Sequence, residues 1–185
     1  MICHKHKCIF IHISKCAGTS VEKAFGINTQ KSELTNKNQL FGWDYKKKVY
    51  LQHATPQFLI ENNLISRKVW NDYYKFIVVR NPWSRFHSCY FWLSENFNLK
   101  GSFSDLINHK GVYKEKSKNN PLFDLEDHLR IQKEYFFLDE ELINFNKIIR
   151  FENIKSGLDS VIKDLSLNPD FFRNKVNVTK SKKKH

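Results

Sequence analysis

Lys75-Phe76-Ile77-Val78-Val79-Arg80-Asn81-Pro82-Trp83-Ser84-Arg85-Phe86-His87-Ser88-Cys89-Tyr90 is the stretch that decides the fold. Phe76 to Val79 is a β-branched and aromatic run with no polar side chain, the composition of a strand covered on both faces. Arg80 ends the run. Asn81 is a good helix cap, and Pro82 suits the first helical position, where its missing N–H is not needed. Beyond it, Phe86, Cys89, Tyr90, Leu93 and Phe97 recur at helical spacing as one apolar stripe, while Arg85, Ser88 and Trp92 fall on a different face. The stretch reads as strand, loop, helix.

The same grammar occurs twice more. Residues 8–13 are short, β-branched and aromatic, and small turn-prone residues separate them from Val21, Ala24 and Phe25. A third strand is predicted over 147–151, with Asn153 capping a helix whose stripe is Ile154, Leu158, Val161, Ile162 and Leu165, ended by Asn168-Pro169. Between these units the sequence predicts a surface excursion over 27–48, a short strand over 49–52 and a helix begun by Pro56 with Phe58, Leu59 and Leu64 on its face. Residues 98–123 read as a second, mobile excursion, because the polar run 114–120 carries no apolar pattern. Alternating strands and helices with apolar strand runs predict α/β architecture around a buried, mostly parallel sheet. In such sheets ligands bind at the carboxyl ends of strands, so the loops after Ile13 and Val79 matter most.

The 185 residues suffice for one compact domain, and 41% hydrophobic with 27% charged residues excludes collagen-like, low-complexity and wholly disordered classes. Lysine and arginine number 31 against 19 acidic residues, a net charge of +12 that predicts an anionic partner. Nucleotide, sulfated or uronic glycan, nucleic acid and anionic lipid all satisfy that condition. The apolar run 9–13 is too short for a signal core or a membrane span, which predicts a cytoplasmic chain with Cys3, Cys8, Cys16 and Cys89 as reduced thiols. The sequon Asn177-Val178-Thr179 then carries no glycan.

The loop His12-Ile13-Ser14-Lys15-Cys16-Ala17-Gly18-Thr19-Ser20 sets a lysine, a small-residue turn and two hydroxyls before a helix, an arrangement suited to phosphate or sulfate. It is not the common ATP loop, because the lysine precedes the glycine by three positions, and the three spaced glycines of dinucleotide sites are absent. A capped helix start with a solvated lysine explains the loop equally well when it is taken alone. In the second loop Arg80 and Ser88 could converge on another anionic group. Taken alone, Arg80 could equally pair with a carboxylate while Ser88 merely lies on a helix.

Together these residues resemble the membrane-type carbohydrate sulfotransferase superfamily, which transfers sulfate from 3′-phosphoadenosine-5′-phosphosulfate (PAPS). Residues 10–20, Phe-Ile-His-Ile-Ser-Lys-Cys-Ala-Gly-Thr-Ser, resemble the family's 5′-phosphosulfate loop, and residues 76–90, with Arg80 and Ser88 eight apart, resemble its 3′-phosphate motif. Ile149-Arg150-Phe151-Glu152-Asn153 is similar to a further family signature. The resemblance implies a single P-loop-like domain over residues 1–178, with a central mostly parallel β-sheet flanked by helices, followed by a basic tail over 179–185. It implies that Lys15 contacts the phosphosulfate bridge, that the backbone and hydroxyls from Cys16 and Ala17 through Gly18, Thr19 and Ser20 hold the 5′-phosphate, and that Arg80 and Ser88 hold the 3′-phosphate. No metal is required. The acceptor implied is a carbohydrate hydroxyl, with the basic excursions 31–48 and 110–118 suited to an anionic glycan.

An acceptor hydroxyl needs a general base, and His53 resembles the family's catalytic histidine between the two cofactor motifs, whereas His12 within the first strand reads as structural. Two departures stand out. Ser14 replaces the family's usual proline and is expected to loosen the loop, and the chain stops soon after Val176 to Ser181, where Thr179, Lys180 or Ser181 could close over the cofactor. Animal members carry a Golgi membrane anchor, so the chain reads as a soluble microbial or viral form. Three other readings remain. Cys3-His4-Lys5-His6-Lys7-Cys8 could coordinate zinc or copper, the net charge with Trp43, Tyr45, Tyr73 and Tyr74 could serve nucleic-acid binding without a specific recognition motif, and a nucleotide kinase would use magnesium and ATP.

Overall fold

The computed structural model describes residues 1–173 except Pro121 and Asp124. The expected domain end at 178, the basic tail and the closing residues Thr179 to Ser181 lie outside the described residues. The short strand β1 (Ile2–Cys3) turns back antiparallel onto β2 (Cys8–Ile11), which leads through a loop into α1 (Gly18–Ala24). A small ladder of β3 (Trp43–Asp44) and β4 (Val49–Tyr50) follows, then a 3-10 turn over Leu51–His53 and the helices α2 (Pro56–Glu61) and α3 (Arg67–Asp72). Next come β5 (Tyr74–Val79), the long α4 (Pro82–Phe97), and α5 (Phe103–Ile107), α6 (Gly111–Asn119) and α7 (Leu125–Leu129). A 3-10 turn over Gln132–Phe136, the hairpin β6 (Phe137–Leu138) with β7 (Glu141–Leu142), β8 (Lys147–Arg150) and α8 (Ile154–Asp164) complete the chain.

The central sheet has the order β1-β2-β5-β8, parallel from β2 to β5 and from β5 to β8, with β1 as the antiparallel edge. This is the α/β architecture read from the apolar runs. Ile9, Phe76, Ile77 and Val78 are fully buried, and Phe10 stacks on Phe76 across the β2–β5 pair with ring centroids 4.9 Å apart. Burial of about 1.5–3 kcal/mol worth of apolar surface per such side chain holds the sheet between its helices. Parallel pairing sets the ends of β2 and β5 side by side, and with them the two loops that carry Lys15 and Arg80.

Five local expectations are corrected. Residues 98–123 are not an unstructured excursion: α5 and α6 fold against α4 around Cys89, Leu93, Leu99, Leu106 and Tyr113, with Ser102 and Asp105 forming a capping box. The polar run 114–120 lies largely on α6, which is anchored by the buried Tyr113 and its neighbour Val112, too few apolar positions to show a period. Strand 49–52 stops at Tyr50, because the Gln52 side chain turns back to accept from the Gly42 amide at 2.9 Å. The helix from Pro56 ends at Glu61, since Asn63 takes a positive φ and the Leu64 amide folds back to the Leu59 carbonyl; Ser66 then caps α3. On α4 the most buried line is Arg85, Cys89 and Leu93, whereas Phe86, Tyr90 and Phe97 are half-buried, so an arginine occupies the face expected to be apolar. Asn81 caps α4 through Ser84 N at 3.2 Å, while Asn153 stands before α8 without a side-chain cap.

Gly157 lies where α8 packs on β8, and a Cβ there would run into the Ile149 side chain. Alanine is the better helix former by about 1 kcal/mol, yet Gly157→Ala is expected to destabilise the protein by about 1–3 kcal/mol because the close approach is lost. Urea unfolding of both proteins checks the sign.

Candidate functional site

The loop between β2 and α1 is held in an unusual backbone shape, with Lys15 at φ 64° and Ala17 at φ 65°, both non-glycine residues in the left-handed region. Gly18 follows because a Cβ at that position would collide with the His12 ring. The neighbouring loop supplies Arg80, whose Nη1 donates to the Lys15 carbonyl at 3.0 Å while Nε donates to Ser84 Oγ at 3.1 Å. Its guanidinium also lies 4.2 Å from the centre of the Phe151 ring. Gln132 fixes the strand end: its side chain accepts from the Arg80 amide at 3.0 Å and donates to the Arg80 carbonyl at 2.8 Å. The two predicted anion-binding loops therefore meet through Arg80.

Lys15 sends its ammonium 4.6 Å from the centre of the Trp92 ring. Burial lowers its pKa from 10.5 to about 8, helped by the Arg80 charge and opposed by Asp127. Burial likewise depresses the Arg80 pKa. Neither side chain forms an ion pair with a described residue. Cys16 is buried, its Sγ 3.9 Å from Gln132 Oε1 and its pKa pushed up to about 12 by burial, so it offers backbone rather than thiolate. Thr19 and Ser20 are half-buried on the first turn of α1, and the Ser20 amide is used by the Ala17 carbonyl at 3.1 Å. Ser88 is half-buried and makes no hydrogen bond to a described residue; Ser84 is the hydroxyl that touches Arg80.

Behind the loop lies Arg85, only 1% exposed. Nε donates to the Ser14 carbonyl at 3.0 Å, Nη1 to the Arg130 carbonyl at 2.9 Å, and Nη2 to the His128 carbonyl at 2.8 Å, with longer contacts from Nη2 to Ser14 Oγ and the Asp127 carbonyl. Ser14 Oγ in turn donates to the Asp127 carbonyl at 3.0 Å. Ser14 therefore ties the loop to α7, contrary to the expectation that it loosens the loop.

His53 stands under the same loop. Its Nδ1 donates to the His12 carbonyl at 3.2 Å, its Nε2 is 3.7 Å from Asp127 Oδ2, and the His12 ring lies edge-on at 4.3 Å. His12 is paired through Nδ1 with the buried Glu22 at 2.8 Å. His128 stacks on Trp92 at 5.0 Å and sets Nε2 3.5 Å from Asp127 Oδ1. Burial holds both His53 and His128 neutral: His53 falls well below 6.5, with the His12 and His128 rings adding to the effect, and His128 falls to about 3, with Lys15 and Arg85 adding to it.

Arg85, Asp127, His128, Gln132 and Ser84 were not among the expected site residues. Arg85 had one sequence signal, its place five residues after Arg80; residues 127–132 had none, because only tertiary contact brings them to the loop.

The side chains of the suggested metal motif disperse. His4 Nδ1 meets the Tyr73 hydroxyl at 2.8 Å, His6 packs on Phe25 and Phe171, and Cys8 is buried in the sheet. Among the described residues no group of three or more histidine, cysteine or acidic side chains is arranged to hold a metal ion, and no helix is long and apolar enough to cross a membrane. Two clefts, of about 410 and 440 Å³, lie at the amino ends of the parallel strands, one beside His6 and Phe171 and the other beside Arg67 and Lys75. Neither is lined by Lys15 or Arg80, and the charge and strand ends favour the loops over the clefts.

A family model described as "Sulfotransferase family" matches residues 1–184. A crystal structure of a sulfotransferase from Alicyclobacillus acidocaldarius shares the fold, with a TM-score of 0.51 at 15% identity over 93% of this chain and 86% of that one. No curated protein sequence matches.

Two measurements follow from this geometry. Lysine cannot reproduce a fork that serves carbonyls at 14, 128 and 130, so Arg85→Lys is expected to lower unfolding stability by about 3 kcal/mol in denaturant titration. For His53 and His128 the folded pKa lies below the unfolded value, so the unfolded chain binds more protons once the pH drops under about 6.5. Stability is then fully present above that pH and falls as the solution is acidified; between pH 6.5 and 5 His128 removes about 2 kcal/mol, and His53 acts in the same direction. Urea midpoints across that range read the slope.

Proposed function

Because the chain belongs to the sulfotransferase family, whose model spans residues 1–184, we propose that it moves the sulfuryl group of PAPS to a hydroxyl of a carbohydrate acceptor. One observation carries the reading: two partly desolvated cations, Lys15 and Arg80, stand on two adjoining loops at the carboxyl ends of parallel strands without an ion-pair partner among the described residues. Desolvated positive charge is costly unless an anion completes it, and a nucleotide with phosphates at both ends of its ribose fits two such cations.

When bound, PAPS supplies a sulfuryl group already joined to a phosphate leaving group. Lys15 meets the negative charge that grows on the bridging oxygen, stabilising the transition state more than the ground state. Backbone and side chains of Cys16, Ala17, Gly18, Thr19 and Ser20 hold the 5′-phosphate, and Arg80 with Ser88 holds the 3′-phosphate, roles carried over from the family motifs. His53 takes the acceptor proton at Nε2, the nitrogen left with a lone pair once Nδ1–H donates to the His12 carbonyl. Burial keeps that imidazole neutral at neutral pH, so its Nε2 lone pair is unprotonated in the free protein. The exposed lysines Lys46, Lys114 and Lys118 favour an anionic glycan as acceptor.

Thermal unfolding with the product nucleotide 3′-phosphoadenosine-5′-phosphate in EDTA tests the donor assignment. At ~100 times its dissociation constant the nucleotide adds about 2.7 kcal/mol of stability, and Lys15→Ala and Arg80→Ala each reduce the shift. Raising the pH through about 8 removes the Lys15 charge from the free protein and weakens binding. Stabilisation by ATP with magnesium, and none by the bisphosphate, would overturn the assignment.

A further inference from the structure

We propose that Asp127 is a positioning residue for the proton transfer, stabilising the imidazolium that forms when His53 takes the acceptor proton. The inference rests on His53 being the base, and it adds a residue that neither the motifs nor the fold comparison assigns. Nδ1 of His53 is already committed to the His12 carbonyl at 3.2 Å, so only Nε2 can receive a proton. Asp127 Oδ2 stands 3.7 Å from that nitrogen, and its carboxylate is 2% exposed. At this separation the carboxylate makes no hydrogen bond to the neutral ring, so the Nε2 lone pair stays available to the acceptor hydroxyl, and the buried negative charge beside it stabilises the imidazolium once Nε2 carries the proton.

The backbone of Asp127 is held in this place. Its carbonyl accepts from Ser14 Oγ at 3.0 Å and from Arg85, and its other carboxylate oxygen faces His128 Nε2 at 3.5 Å. The groups facing His53 are the His12 ring, Asp127 and His128 on α7, the Tyr50 ring at 6.5 Å, and the Tyr135 hydroxyl, which donates to the His53 carbonyl at 3.1 Å; the N-terminal ammonium acts from further away. Among these groups Asp127 and the phenols alone are not cationic or imidazole, and Asp127 is the acidic one aimed at Nε2. The proton balance is simple. The acceptor O–H proton passes to His53 Nε2, the acceptor oxygen bonds to sulfur, and the bond from sulfur to the bridging oxygen breaks with its electron pair leaving on the phosphate.

Desulfation of PAPS with water as acceptor requires no identified sugar and serves as the readout, run on wild type, Asp127→Asn, His53→Gln and the double variant, alongside the bisphosphate melting shift. Asp127→Asn is expected to slow desulfation about 10- to 100-fold, the loss of one buried carboxylate charge beside the imidazolium, while its melting shift stays that of wild type. The double variant should be no slower than His53→Gln, because Asp127 acts through the imidazole. An unchanged rate in Asp127→Asn, or losses that multiply in the double variant, overturns the proposal. A wild type without a bisphosphate shift, or a His53→Gln variant with full activity, instead overturns the reading beneath it. Should Asp127→Asn not fold, wild-type NMR decides: His53 Nε2 and the Asp127 carboxyl carbon must titrate with shared midpoints, as coupled groups do, and independent midpoints reject the pairing.

Discussion

A buried guanidinium holds this site together. Arg85 leaves α4 pointing inward and gives its N–H groups to carbonyls of Ser14, His128 and Arg130, three residues that belong to two separate parts of the chain. Removing a cation from water costs several kcal/mol, and the cost is offset only when its donors are satisfied in good geometry. Here all three nitrogens find carbonyl oxygens, and together with the Ser14 hydroxyl on the Asp127 carbonyl they hold the lysine loop to α7. Trp92, two turns further along α4, touches both Lys15 and His128. The helix thereby sets both the cation and the imidazole that border the loop.

Low exposure then determines the charge states. Lys15 and Arg80 lose solvation and their affinity for protons falls, while His53 and His128 become neutral for the same reason. Glu22 is answered by His12, and Asp127 lies between two imidazoles and near Lys15. The result is a site in which two cations stand at the loops and two neutral imidazoles flank Asp127 beside them. That division suits a reaction in which one bond partner is anionic and the other gives up a proton.

Much of this could be read from the residues in order. The apolar run Phe76 to Val79 followed by Arg80, Asn81 and Pro82 announces a buried strand, a turn and a capped helix, since each residue's local preference agrees with the next. Residues 98–123 were illegible for the opposite reason: their helices rest on widely spaced anchors such as Leu106 and Tyr113, and the lysine-rich stretch between anchors has no period of its own. Arg85 misled the helix reading, because a charged residue is rarely buried without a carboxylate and its carbonyl partners lie far along the chain. The substitution at Ser14 was misread alike, as a lost proline rather than a hydroxyl that bonds α7.

The sequence by itself determined the α/β plan, the parallel strand units and the two loops that carry Lys15 and Arg80, because period, caps and turn residues act over a few neighbours. Tertiary structure alone decided that Arg80 reaches the Lys15 carbonyl, that Lys15 rests against Trp92, and that Asp127 faces His53 across 74 positions (127 − 53) of chain. Those contacts depend on burial and on hydrogen bonds between distant segments, and no local pattern encodes which distant carbonyl a buried guanidinium will find.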